Sequence, residues 1–256
     1  MQLRDAFDTV AEVYDAIRPG YPEPLFDEIA VVAGLLPDDR ILEVGCGSGQ
    51  ATASLLARGY QVTALDPGPA LIAAAGRRLG PEAKVRFVTA RFEGWAPPAR
   101  AFRLVAAAQA WHWTPPAQAF PRAAAALADG GWLAIFGHVP VRFPAEFQAA
   151  AQPLCMRYAP GLWAAPPETW YLPGGPLPGL IGGSGLFQRP RHSVHPWTWR
   201  HTPESFRQFL ASRSDIQLIP EPRRSPLIAG LGAIVAEQGG ALEIGYETHL
   251  YMAARQ

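Results

Sequence analysis

Lysine is almost missing from this chain: Lys84 is the single one in 256 residues. Arginine carries the rest of the positive charge, a bias of coding rather than a site. Lys plus Arg and Asp plus Glu balance at 22 each, and charged residues make up only 17% of the chain. A sparse, balanced charge argues against an electrostatic role on nucleic acid or an anionic membrane. Cysteine is scarce as well. Cys46 and Cys155 are the only two, and Cys46 lies between glycines. A disulfide framework is therefore not expected, and a reducing, cytoplasmic setting is. No apolar run is long enough to cross a bilayer. The opening stretch MQLRDAFDTVAEVYDAIRPGYP has no apolar core of a signal peptide, so none is expected there.

What is present points to a sizeable folded core, since 49% of residues are hydrophobic. Strand and helix signals alternate from about 25 to 138. Strands are predicted at 40–44, 61–65, 85–89, 102–108 and 132–137, and helices at 24–36, 50–58, 70–79 and 116–128. Strands separated by helices imply a parallel, doubly wound α/β sheet. Proline, glycine and aromatics crowd 140–190, where short helices forming a cap or substrate loop are expected. Order returns with a strand at 191–199, a helix at 202–212 opened by Thr-Pro-Glu, and a last strand at 246–253. The division is a core with its lead-in at 1–139, a cap insertion at 140–190, and 191–256 completing the same sheet, a single domain overall.

The chemistry centres on ILEVGCGSGQ at 41–50. A strand that runs into glycines and opens a helix is a nucleotide-binding turn. The glycines are Gly45, Gly47 and Gly49, spaced G-x-G-x-G, with Gln50 where a dinucleotide fingerprint wants its last small residue. Glu43, just before the turn, is a poor neighbour for a pyrophosphate and suits a cationic group. Asp66 ends the second strand, where it can accept hydrogen bonds from ribose hydroxyls. A nucleoside carrying an amino acid and a sulfonium, S-adenosylmethionine, meets all three features. Glu43 and Gln50 disfavour a nicotinamide-dependent oxidoreductase. A protein that binds the same cofactor without catalysis fits the turn equally well.

At these residues the chain resembles the class I S-adenosylmethionine-dependent methyltransferases. ILEVGCGSG is similar to their first motif and VTALDPG to their second, AFRLVAAAQAWHW to the fourth-strand motif and LADGGWLAIFG to the fifth-strand region. YDAIRPGYP resembles the lead-in of one branch, and the tail resembles the trans-aconitate methyltransferase group. The resemblance implies a Rossmann-like seven-stranded sheet, mostly parallel, with an antiparallel last strand inserted beside the fifth. It implies that Gly45, Gly47 and Gly49, with Cys46 between them, let the backbone approach the methionine part of the cofactor. Glu43 would reach its amino group, Asp66 the ribose, Pro67 the adenine, and the backbone of Ala108 and Gln109 the methionyl end. Tyr14 and Arg18 would fold over the cofactor. Arg91 and Phe92 stand where many members have an Asp for the adenine amino group, a bond arginine cannot accept.

The implied partner is a small-molecule acceptor, methylated on oxygen or nitrogen, with a carboxylic acid among the candidates. A carboxylate would need a cation in the pocket, such as Arg142, Arg157 or Arg200. No metal is required. His112, after the fourth strand, is either a proton acceptor or a wall residue between Trp111 and Trp113. His195, Trp197 and Trp199 share one strand face, as a substrate wall or a buried sheet face. With His192 and His201 they form an aromatic and histidine cluster, in which metal binding is disfavoured because no Cys or acidic partner is near in sequence. Tyr158, Trp163, Trp170 and Tyr171 either close over substrate or give the cap its core.

Overall fold

The computed structural model describes residues 19–160 and 167–256. Its centre is a seven-stranded sheet in the order β3-β2-β1-β4-β5-β7-β6. The strands are β1 (Arg40–Val44), β2 (Gln61–Asp66), β3 (Val85–Thr89), β4 (Phe102–Ala108), β5 (Leu127–Arg142), β6 (Arg191–His201) and β7 (Leu242–Ala254). The first five run parallel, and β7 lies antiparallel between β5 and β6. This is the mixed Rossmann-like sheet that the motifs imply.

The inner strands are nearly continuous apolar runs because both faces are covered. Alternation sends Leu42, Val105 and Ile135 to one core. Their neighbours Ile41, Leu104 and Phe136 face the other. The first core is closed by α4 (Pro116–Ala126), the turn Pro167–Tyr171 and α6 (Pro176–Gly183). The second is closed by α1 (Glu23–Ala33) and α2 (Gln50–Ala57), with α3 (Pro69–Leu79) also packing on the β2–β3 side of the sheet.

β5 and β7 run on for 16 and 13 residues, well past the short strands β1 to β3. Their extension carries a third core, built from α5 (Ala145–Tyr158), α7 (Pro203–Ala211) and α8 (Glu221–Glu237) on Leu242, Ile244 and Tyr246. α7 starts as its Thr-Pro-Glu signal requires. Thr202 Oγ1 accepts from the Ser205 N–H at 3.1 Å, and Ser205 Oγ accepts from the Thr202 N–H at 2.9 Å. The insertion therefore divides. α5 joins the C-terminal helices, whereas Trp170 and Tyr171 pack on the main sheet.

Three boundaries differ from the sequence expectation. β5 begins directly where α4 ends, because Gly130 at φ 72° and a register shift opposite Phe102 and Leu104 fold Asp129-Gly130-Gly131 into the strand. β7 starts at Leu242, four residues before 246. The 17-residue helix α8 contains Pro226, Gly230 and Gly232, which read as breakers, and no helix is predicted there.

Candidate functional site

The glycine turn leaves β1 at the carboxyl edge of the sheet, where α/β folds bind ligands. Gly45 and Gly47 have φ of 72° and 55°, which side chains rarely adopt. A Cβ on Gly45 would also sit 2.3 Å from the Ala110 Cβ, so glycine lets β4 close on the turn. At Gly47 the space is open, and the bare backbone is presented to the cleft. Asp66 fixes the turn. Its carboxylate accepts from the Gly47 N–H at 3.0 Å and from the Gly68 N–H at 2.8 Å. Gly49 lines neither cleft. It caps α2 and packs on Ala75.

Glu43 is 1% exposed. Thr52 donates to its Oε2 at 2.6 Å, while Oε1 has no partner among the described residues. Burial raises its carboxyl to about 8, and the Asp66 charge adds to the rise. Burial, with Glu43 and Asp66 nearby, also pushes the Cys46 thiol up, so this cysteine is an inert small residue.

Gln109 follows β4 in the left-handed region, at φ 55°. Its side chain clamps the next strand: Oε1 accepts from the His138 N–H at 2.9 Å and Nε2 donates to the His138 carbonyl at 3.3 Å. His112 follows in the helical turn Trp111–Trp113. Its Nδ1 lies 3.0 Å from Tyr171 Oη, and burial lowers it to about 4. Tyr171 is fully buried, its ring lying over Gly137 of β5. Trp111 is a core residue packed on Phe92 and Phe120, so only Trp113 faces the cleft.

Two adjoining clefts share the turn. One is lined by Asp66, Pro67, Arg91, Phe92 and His112, and Gly45 lines this cleft and the next. The other is lined by Glu43, Cys46, Gln50, His138, Trp199 and Tyr246. Ala108, Gln109 and Gly47 line both. So do two residues that the sequence did not single out, Glu168 and Arg213. Arg213 Nη1 lies 2.9 Å from Glu168 Oε1, and Asp215 takes its Nε and Nη2 at 2.9 and 2.7 Å. Burial opposes the guanidinium charge, but the two carboxylates outweigh it and hold the group ionised. No spacing pattern announces this cluster, because Glu168 is distant in sequence from Arg213 and Asp215.

The arginines named for a carboxylate line neither cleft. Arg142 packs against Gly245, and Arg157 lies 5.1 Å over the Tyr158 ring. Arg200 pairs in register with Glu243 on the edge strand. His195 does find an acid, Glu28, at 3.0 Å. No group of three metal-binding side chains forms among the described residues. Tyr14, Arg18 and Trp163 lie outside the described residues.

The arrangement is a glycine turn fixed by Asp66 with the buried carboxyl of Glu43 beside it, on a Rossmann-like sheet whose last strand is antiparallel. Residues 41–131 match the family model described as a methyltransferase domain. Magnesium-protoporphyrin O-methyltransferase of Rhodobacter capsulatus is 38% identical over 85 residues, which cover 32% of this chain and 36% of that protein. An uncharacterized methyltransferase of Mycobacterium tuberculosis is 33% identical over 130 residues, 51% of each. The matched part thus spans about half the length of these curated relatives, or less. A candidate type II methyltransferase from Anaeromyxobacter dehalogenans shares the fold at a TM-score of 0.64 and 23% identity, covering 93% of this chain and 97% of that one. Residues 41–131, from β1 into β5, are thus similar to a methyltransferase domain, and the whole chain shares the fold of the Anaeromyxobacter protein.

Proposed function

We propose that this protein transfers a methyl group from S-adenosylmethionine to an oxygen or nitrogen of a small molecule in the cytoplasm. The observation that carries the reading is Glu43 Oε1, a buried acceptor without a donor at the end of the glycine cradle. An ammonium supplies both the missing hydrogen bond and the countercharge; a pyrophosphate supplies neither. The donor set therefore fits the cofactor. Glu43 would take its amino group, the turn at Gly45 and Gly47 its methionine part, and Asp66 the ribose. Pro67, Arg91 and Phe92 would flank the base. The cofactor supplies an electrophilic methyl group on a sulfonium. The chain supplies alignment in a partly aromatic cleft.

His112 reads best as a positioning residue. At about 4 it is neutral but a weak proton acceptor at pH 7. Its hydrogen bond instead holds Tyr171 across the cleft.

The test is calorimetric titration with S-adenosylhomocysteine and with NADH, followed by an assay for S-adenosylhomocysteine release across amines, phenols and acids. The first compound is expected to bind, and Glu43→Gln and Asp66→Ala to weaken it at least about tenfold, the scale of a lost charged hydrogen bond. Preference for NADH, or unchanged affinity in both variants, would sink the reading. Binding without turnover on any acceptor would favour a cofactor-binding protein.

A further inference from the structure

We propose that the acceptor is a small amine, held by Glu168 where the two clefts meet. The inference rests on the methyl-transfer reading and deepens it.

Glu168 and Arg213 are inward-facing, with side chains 12% and 7% exposed. Arg213 is the cation an acidic substrate would seek, yet three of its five N–H groups are engaged and two carboxylates more than offset its charge. A carboxylate substrate would add a third anion beside one cation. The cluster instead has an acceptor to spare: Glu168 Oε2 is buried with no partner among the described residues. A buried carboxylate oxygen without a donor is costly, and the cluster carries one negative charge in excess. An ammonium answers both deficits at once. An alcohol or phenol answers only the first.

The walls agree. Tyr21, Trp199 and Tyr246 line the second cleft beside Glu168, and Trp113 and Tyr171 the first. Aromatic faces attract a cation and pack against its apolar body. The chemistry also closes without a strong base, in keeping with the weak basicity of His112. The bound ammonium gives one proton to water. The freed nitrogen lone pair forms the N–C bond as the C–S bond breaks, and that bond's electron pair stays on sulfur.

The test uses the full chain saturated with S-adenosylhomocysteine. Phenethylamine, 2-phenylethanol and phenylacetate are titrated by calorimetry, with butylamine, butanol and butyrate as the aliphatic set. The amine of each set is expected to bind at least about tenfold more tightly than its alcohol, with the carboxylate weakest. Glu168→Gln should weaken the amine by a similar factor and S-adenosylhomocysteine by much less. Should that variant not fold, the wild-type ranking decides, together with Asp215→Asn, which partly frees Arg213 and should raise carboxylate affinity. A carboxylate or alcohol that equals the amine overturns the proposal. So does amine binding untouched by Glu168→Gln, or a protein that takes S-adenosylhomocysteine but no amine. Failure to bind S-adenosylhomocysteine overturns the methyl-transfer reading itself, and the acceptor assignment with it.

Discussion

At the scale of single residues, His112 separates two mechanisms that look alike in a motif. The fourth-strand pattern places a histidine at the carboxyl edge of the sheet, and a histidine there invites a role as base. Burial lowers the ring to about 4 and Tyr171 Oη lies 3.0 Å from Nδ1, which together favour the positioning role proposed above. Removing a general base costs roughly 10²- to 10⁴-fold in turnover. Removing a positioning residue while keeping its hydrogen-bonding capacity costs far less. His112→Asn is therefore expected to reduce kcat by less than about tenfold and to leave the shape of the pH–rate profile unchanged. Steady-state kinetics from pH 5.5 to 8.5 check this, and a hundredfold loss would restore the base.

Among the elements, what was legible depended on whether local chemistry and tertiary packing agreed. The strands β1 to β4 fall within a residue of expectation, because each is a short apolar or alternating run, and Gly, Pro or Asp mark the ends of β1 and β2. The turn was legible for the same reason, since alternating glycines encode backbone that side chains avoid. α8 was not, because Pro226, Gly230 and Gly232 contradict helix propensity. Contact explains the glycines: a Cβ at Gly230 would lie 2.6 Å from Leu154, and one at Gly232 2.6 Å from Arg207. Glu168 and Arg213 were invisible too, since their partnership exists only in three dimensions. Gly137 in β5 is a further case. A Cβ there would lie 2.6 Å from the Tyr171 ring, which is fully buried and tied through Oη to His112. Tyr251 holds the same residue's carbonyl at 3.0 Å. The ring has little room to retreat. Gly137→Ala should cost about 1–3 kcal/mol, the range for overpacking a core. Urea unfolding would show a lower midpoint with an unchanged slope, and an unchanged midpoint would show that the Tyr171 ring yields freely.

For the whole molecule, the site leaves a mark on stability against pH. Folded Glu43 keeps its proton up to about 8, against an ordinary 4.5. Between these values the folded state binds the extra proton, so this group's contribution falls as pH rises, by about 1.4 kcal/mol per unit. His112 and His201 shift the other way, from 6.5 to about 4, both through burial. Below 6.5 the unfolded chain takes up protons that these folded rings refuse, so stability is lost as pH falls towards 4. Burial moves His192 and His249 down as well. From 4.5 to 6.5 the histidines outnumber Glu43 and set the slope; from 6.5 to 8 Glu43 acts without them. The free protein should therefore be most stable near pH 6.5. An ammonium seated against Glu43 reverses the preference of that carboxyl, so S-adenosylhomocysteine should stabilise the protein more at pH 8 than at pH 6. Melting temperatures of the wild type and Glu43→Gln, with and without the ligand from pH 5 to 8.5, test both halves. The variant should lose the decline above pH 6.5 and keep the acid one. An alkaline decline that survives in Glu43→Gln would mean that some other group sets it, and that the carboxyl beside the glycine turn is already ionised before any ligand arrives.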